Sequence, residues 1–131
     1  SNEFKNIEIE YHVCELEEAI FCQSDKQKDN LFLVTIYRII QEAITNALKH
    51  SNGNKVVLNV EIKNNKCNII VTDNGKGFDF NNSNENDDKH FGISLMRERV
   101  ELLNGNVSII SEPERGTRIE IQVPLKEPGG I

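Results

Sequence analysis

Between Leu31 and Leu48 the apolar positions recur at steps of three and four residues. Leu33, Ile36, Tyr37, Ile40, Ile44, Ala47 and Leu48 would share one side of a helix, with Thr35, Arg38, Glu42, Asn46 and Lys49 on the other. This predicts a helix from Leu31 to His50, with Asp29 and Asn30 as N-cap candidates and Ser51, Asn52 and Gly53 as the turn that ends it. Upstream, Ile7, Ile9, Tyr11 and Val13 alternate with Glu8, Glu10, His12 and Cys14, the period of a strand with one buried face. Leu16 to Gln23 is too short and mixed to assign, and Ser24 to Asn30 reads as a charged loop. Lys55 to Ile62 and Cys67 to Thr72 are Val- and Ile-rich runs flanking Lys63-Asn64-Asn65-Lys66, a hairpin signal. Asn81 to Asp88 has no aliphatic or aromatic side chain and predicts a mobile surface loop. Ile93, Met96, Val100 and Leu103 then mark a second amphipathic helix from Ser94 to Asn104, stopped by Gly105. Asn106 to Ser111 and Thr117 to Pro124 form a second hairpin around Glu112-Pro113-Glu114-Arg115-Gly116, and the tail beyond Pro124 reads as frayed.

Strand, unassigned segment, helix, hairpin, loop, helix, hairpin is the order of an α/β (α+β) protein. Adjacent hairpins imply a mixed, largely antiparallel sheet, and two amphipathic helices need one common surface, so a two-layer sandwich with helices on one face follows. A length of 131 residues suits a single domain. Ser1-Asn2 reads as a cloning remnant.

Composition narrows the function. A net charge of −6, no Trp and no sustained Lys/Arg run argue against nucleic acid as a partner. No apolar run approaches the roughly 18–20 residues that cross a bilayer, so the expectation is a soluble, cytoplasmic domain without membrane contact. Three cysteines, Cys14, Cys22 and Cys67, are odd in number and form no CxxC, against a disulfide framework or zinc site. His12 and Cys14 could leave the same face of a strand, but two ligands do not hold a metal.

Two stretches could carry chemistry. Glu42 and Asn46 stack one turn apart with Lys49 nearby, and a carboxylate, a carboxamide and an ammonium in one patch can hold a metal ion and the phosphates it bridges. The same three residues also suit a solvated helix face, so the patch alone leaves both readings open. Asp73-x-Gly75-x-Gly77 ends an apolar strand, where glycines let a flat ring or a phosphate approach backbone and a lone carboxylate can accept a hydrogen bond from an exocyclic amine; Asp-Asn-Gly is equally ordinary turn chemistry. Phe91-Gly92-Ile93 leads into the second helix, whose free N–H groups would suit phosphate oxygens.

Taken in order, Glu42-x-x-x-Asn46-x-x-Lys49-His50, Asp73-x-Gly75-x-Gly77-Phe78, Phe91-Gly92-Ile93 with Met96-Arg97-Glu98-Arg99, and Gly116-Thr117 resemble the catalytic ATP-binding domain of sensor histidine kinases. That domain belongs to the GHKL superfamily, of Bergerat fold, with DNA gyrase, MutL proteins and a heat-shock chaperone. The resemblance spans Phe32 to Leu125, and Asn46–His50 with Met96–Val100 look most like the nitrate-sensor type. It implies that Asn46 ligates Mg²⁺ and that Glu42 acts through a metal-bound water. Lys49 and His50 would face phosphate, and Asp73 would bind the adenine amine with Thr117 supporting it through water. Gly75, Gly77 and Phe78 would shape one wall, Phe91, Gly92 and Ile93 the phosphate end, and residues 80–90 an ATP lid. It further implies a monomeric domain that serves a His-bearing dimerisation domain and a response regulator, with the parent protein possible in a membrane-anchored form. Alternatives within the resemblance are an anti-sigma-factor serine kinase and a degenerate domain that binds protein but not nucleotide. Two departures stand out: His90-Phe91-Gly92 replaces the usual G-x-G, and Glu85, Asp87 and Asp88 make the lid acidic, which implies weak or metal-demanding ATP binding. None of His12, His50 and His90 sits in a phospho-acceptor context.

Overall fold

The computed structural model of the chain describes residues 7–14, 26–50, 53–75 and 88–125, the side chains of 26–29, 50 and 88–91 excepted. In chain order these hold β1 (Glu8–Val13), α1 (Lys26–His50), β2 (Lys55–Lys63), β3 (Lys66–Asp73), α2 (Asp88–Leu102), β4 (Asn106–Ser111) and β5 (Thr117–Pro124). The strands make one five-stranded sheet in the order β1-β2-β3-β5-β4. β1 runs parallel to β2, and every other neighbouring pair is antiparallel. Both helices lie on one face, so the expected two-layer, largely antiparallel arrangement is what forms.

Local chemistry explains the hairpins. Lys63 pairs with Lys66 across a two-residue loop in which Asn64 and Asn65 have φ of 54° and 61°. A loop with both central residues left-handed matches the twist of the flanking strands, and Asn tolerates that conformation. Between the layers, Val56, Leu58, Val60, Cys67, Ile69, Val71, Ile119, Ile121 and Val123 from alternate strand positions meet Ile36, Ile39 and Ala43 of α1 and Met96 and Val100 of α2. Ile39 is wholly buried, so truncation to Ala would cost about 2–5 kcal/mol.

Several sequence expectations are corrected. α1 starts at Lys26, not Leu31. Lys26-Gln27-Lys28 are good helix formers and extend the helix through the expected loop, so Asp29 and Asn30 are not its caps. The buried arc of α1 is rotated: Ile39, Ala43 and Asn46 are buried, whereas Tyr37 and Leu48 are 46% and 39% exposed. α1 contacts α2 as well as the sheet, and the second contact draws the arc toward Asn46. Tyr11 and Val13, expected on a buried face, are exposed, because β1 is an edge strand. α2 begins at Asp88 rather than Ser94, so residues 88–90 of the expected lid are helical and Gly92 lies inside the helix. At its end the left-handed residue is Asn104, with φ of 61°, not Gly105. Asn30–Lys49 does reach the length and mean hydropathy, 1.2, of a bilayer-crossing helix, contrary to the expectation. Its apolar side is the one that covers the sheet, with Ile36 and Ile39 fully buried.

Candidate functional site

Asp73 is the last residue of β3 and lies in register between Val56 of β2 and Thr117 of β5. Its side chain follows Ile69 and Val71 onto the helix-covered face, which is why a carboxylate is 92% removed from solvent, being 8% exposed. Asp73 Oδ1 accepts the Gly75 N–H at 2.9 Å, a local turn that sets the direction of the chain leaving the strand. Thr117, 7% exposed, stands beside it. Thr117 Oγ1 and Ser111 Oγ are 2.8 Å apart, and Ser111 Oγ donates to the Gly116 carbonyl at 3.3 Å. Gly116 is needed here: its φ is +83°, and a Cβ would sit 2.2 Å from the Asp73 carbonyl oxygen. Two buried polar side chains are thus held side by side at one end of the sheet by strand register and a glycine contact.

The same end receives the C-terminal half of α1, because β2 starts five residues after His50 and pairs beside Asp73 at Val56. Asn46 is 7% exposed, Glu42 one turn earlier is half-buried, and Lys49 is exposed. Among the described residues, Asn46 Nδ2 is the buried side-chain polar atom with no hydrogen-bond partner. Such an atom costs about 1–3 kcal/mol of desolvation, a cost proteins tolerate chiefly where a ligand or water completes the site. Gly92 packs directly on this amide: a Cβ there would be 2.6 Å from Asn46 Oδ1. The glycine's role is therefore close approach of α2 to Asn46, not the exposed helix start expected from sequence, and Ile93 beside it is buried.

Of the sequence candidates, Asp73, Gly75 and Thr117 adjoin at this strand end, Gly92 packs on Asn46, and Glu42 and Ile93 lie one turn and one residue away from that pair. Gly77, Phe78 and residues 80–87 of the expected lid lie outside the described residues, as do the side chains of His50 and Phe91. So do Cys22, the Leu16–Gln23 segment, Ser51-Asn52 and the tail beyond Leu125. Ser111 was missed by sequence reasoning, although its place opposite Thr117 in the second hairpin gives it away once the register is known. His12 is engaged by Glu10 at 2.6 Å, and no group of metal ligands surrounds it or Cys14 among the described residues. A cleft of about 410 Å³ near Lys66, Asn68 and Gln122 opens on the helix-free face at the opposite end of the sheet, away from these residues.

A carboxylate and a hydroxyl are thus buried at a strand end, and a carboxamide is buried on the helix that leads into the neighbouring strand. The family model for histidine kinase-, DNA gyrase B-, and HSP90-like ATPases matches residues 33–127. The chain belongs to this ATPase family. Among relatives of this ATPase domain, the signal transduction histidine-protein kinase/phosphatase DegS of Bacillus subtilis is 45% identical over 94 residues, 72% of this chain and 24% of DegS. The sensor protein VraS of Staphylococcus aureus is 41% identical over 92 residues, 70% of this chain and 26% of VraS. The chain thus spans about a quarter of the length of these relatives. In structure, the blue-light activated histidine kinase EL346 of Erythrobacter litoralis superposes with a TM-score of 0.70 at 19% identity, covering 93% of this chain and 36% of that one. AdeS of Acinetobacter baumannii gives 0.66 at 13% identity, covering 93% and 56%. The ATPase fold and family are those of the ATP-binding catalytic domains of histidine kinases.

Proposed function

We propose that this chain is the single catalytic ATP-binding domain of a two-component sensor histidine kinase of the nitrate-sensor type, and that it binds Mg²⁺-ATP at the Asp73–Asn46 end of the sheet. The observation that carries the reading is the Asn46 carboxamide, buried with an unpartnered Nδ2 at the end of the sheet where Asp73 and Thr117 are also buried. Asp73 accepts the adenine amino group while Gly75 N–H fixes its carboxylate, and Thr117 supports the same edge through water. Gly75, Gly77 and Phe78 form the wall of the base pocket. Lys49 and His50 meet phosphate oxygens, and Phe91, Gly92 and Ile93 close the phosphate end beneath a lid formed by the segment before α2.

The residues present fit a magnesium ion. A carboxamide oxygen is a hard ligand of the kind Mg²⁺ prefers, the partnerless Nδ2 of Asn46 leaves the amide free to turn over and present that oxygen in its place, and Glu42 one turn away can hold a coordinated water. When bound, Mg²⁺ would supply positive charge against the phosphates. Lys49 would add positive charge there, while Asn46 would hold the ion directly and Glu42 through a water. A histidine nitrogen on a dimerisation domain outside this chain attacks the γ-phosphorus, the bond to the β,γ-bridging oxygen breaks, and ADP leaves. Positioning and charge stabilisation are most of what such a transfer requires. The phosphoryl group then passes to a response regulator, and the isolated domain is a cytoplasmic monomer.

The test is transfer of radiolabelled phosphate from ATP to the dimerisation domain of the parent protein. Acid-labile phosphohistidine is expected. Acid-stable phosphoserine on a protein substrate would instead support a serine kinase of the same superfamily, and absence of ATP binding at millimolar Mg²⁺ a degenerate domain.

A further inference from the structure

Gly53, Asn54 and Lys55, at the start of β2, are seated directly on the turn that follows Asp73, and one side chain makes the seat. Asn74 Oδ1 accepts both the Asn54 N–H and the Lys55 N–H, each at 3.0 Å, and Asn74 Nδ2 donates to Asn54 Oδ1 at 2.7 Å. Its backbone N–H donates to the Lys55 carbonyl at 3.3 Å. The β2–β3 ladder has its last pair at Val56 and Asp73. Asn74 therefore continues the pairing past the end of the ladder with a side chain in place of a strand. Gly53 passes so close that a Cβ would lie 2.4 Å from Asn74 Oδ1 and 2.7 Å from the Gly75 nitrogen.

The two segments joined in this way carry the two halves of the candidate site. On one side is Asp73, whose carboxylate is turned by the Gly75 N–H. On the other is the C-terminal turn of α1, with Asn46 and Lys49, tethered through Gly53, Asn54 and Lys55. The Asn74 carboxamide spends both its oxygen and its nitrogen on the 54–55 segment, so it makes these contacts instead of facing a ligand. We propose that Asn74 is a positioning residue for nucleotide, acting through the 53–55 segment to keep the phosphate-side helix in register with the adenine-side carboxylate. The inference rests on the nucleotide reading above.

The experiment measures Kd for MgATP by calorimetry and Tm by thermal melt on the 131-residue chain and its Asn74→Ala and Asn74→Asp variants. Removing an acceptor shared by two backbone N–H groups should weaken MgATP binding about tenfold in Asn74→Ala, measured at a temperature where the variant is folded. Asn74→Asp keeps the acceptor for both N–H groups, and rotation of the Asn54 amide satisfies its second oxygen, so it should bind within about threefold of the unaltered chain. A lowered Tm with unchanged Kd in Asn74→Ala would show a mere strand clip and overturn the inference, as would equal weakening in both variants. No MgATP binding by the unaltered chain would overturn the nucleotide reading and this inference with it.

Discussion

Gly92→Ala separates the ligand role of the Asn46 amide from its role in folding. The added Cβ would lie 2.6 Å from Asn46 Oδ1, 3.0 Å from Nδ2 and 3.1 Å from Cγ, where ordinary contact starts at 3.4 Å. The carboxamide must therefore shift by several tenths of an ångström. Within a helix, alanine is favoured over glycine by about 1 kcal/mol, while overpacking a buried site costs about 1–3 kcal/mol. The net effect on folding is a loss between about 0 and 2 kcal/mol, a fall in Tm of at most about 8 °C. Binding should suffer more. Displacing an amide from a charged ligand forfeits about 1.5–3 kcal/mol, which weakens MgATP about 10- to 150-fold. Calorimetric titration beside a thermal melt gives both quantities. MgATP affinity within twofold of the unaltered chain would refute the reasoning, since the amide cannot keep its place against that Cβ.

Other variants probe neighbouring features. Asn46→Ala removes a buried amide whose Nδ2 has no partner, so Tm should change by less than about 5 °C while the Mg²⁺ dependence of ATP binding disappears in calorimetry. Gly116→Ala forces a Cβ against the Asp73 carbonyl at a positive φ and should cost about 2–4 kcal/mol in urea melts, with loss of ATP binding. Burial pushes the Cys67 thiol up to about 12 from 9.0, with Cys14 adding to the shift. The folded chain then holds a proton that the unfolded chain releases, so this stabilisation is complete below pH 9 and is lost as pH rises toward 12. Alkylation followed by peptide mass spectrometry should label Cys67 only on unfolding.

Much of this was legible because hairpins announce themselves locally. Asn106–Ser111 and Thr117–Pro124 appear with the boundaries expected from their alternating residues and the Gly116 turn, since strand period and turn chemistry act over a few residues. The helix faces were less legible. Tyr37 and Leu48 look like core by spacing and Asn46 like surface, yet a second helix against the flank of α1 rotates the buried arc, and no helical wheel contains that neighbour. Gly92 was misplaced for a related reason. Its value lies in a tertiary contact with Asn46, while its position in sequence suggested a helix start. The candidate site was reached through the order of its motifs, because each motif alone also suits an ordinary turn or solvated face. Register then supplied what order could not, placing Asp73 opposite Thr117 and Ser111 beyond it.

The most direct test of the account is calorimetric titration of MgATP and MgGTP into the chain and its Asp73→Asn variant. A buried carboxylate that accepts the adenine amine should make ATP bind in preference to GTP, and loss of that charge-assisted hydrogen bond should weaken ATP about tenfold or more. Equal affinity for the two nucleotides, or unchanged ATP affinity in Asp73→Asn, would contradict the assignment of this end of the sheet as an adenine site.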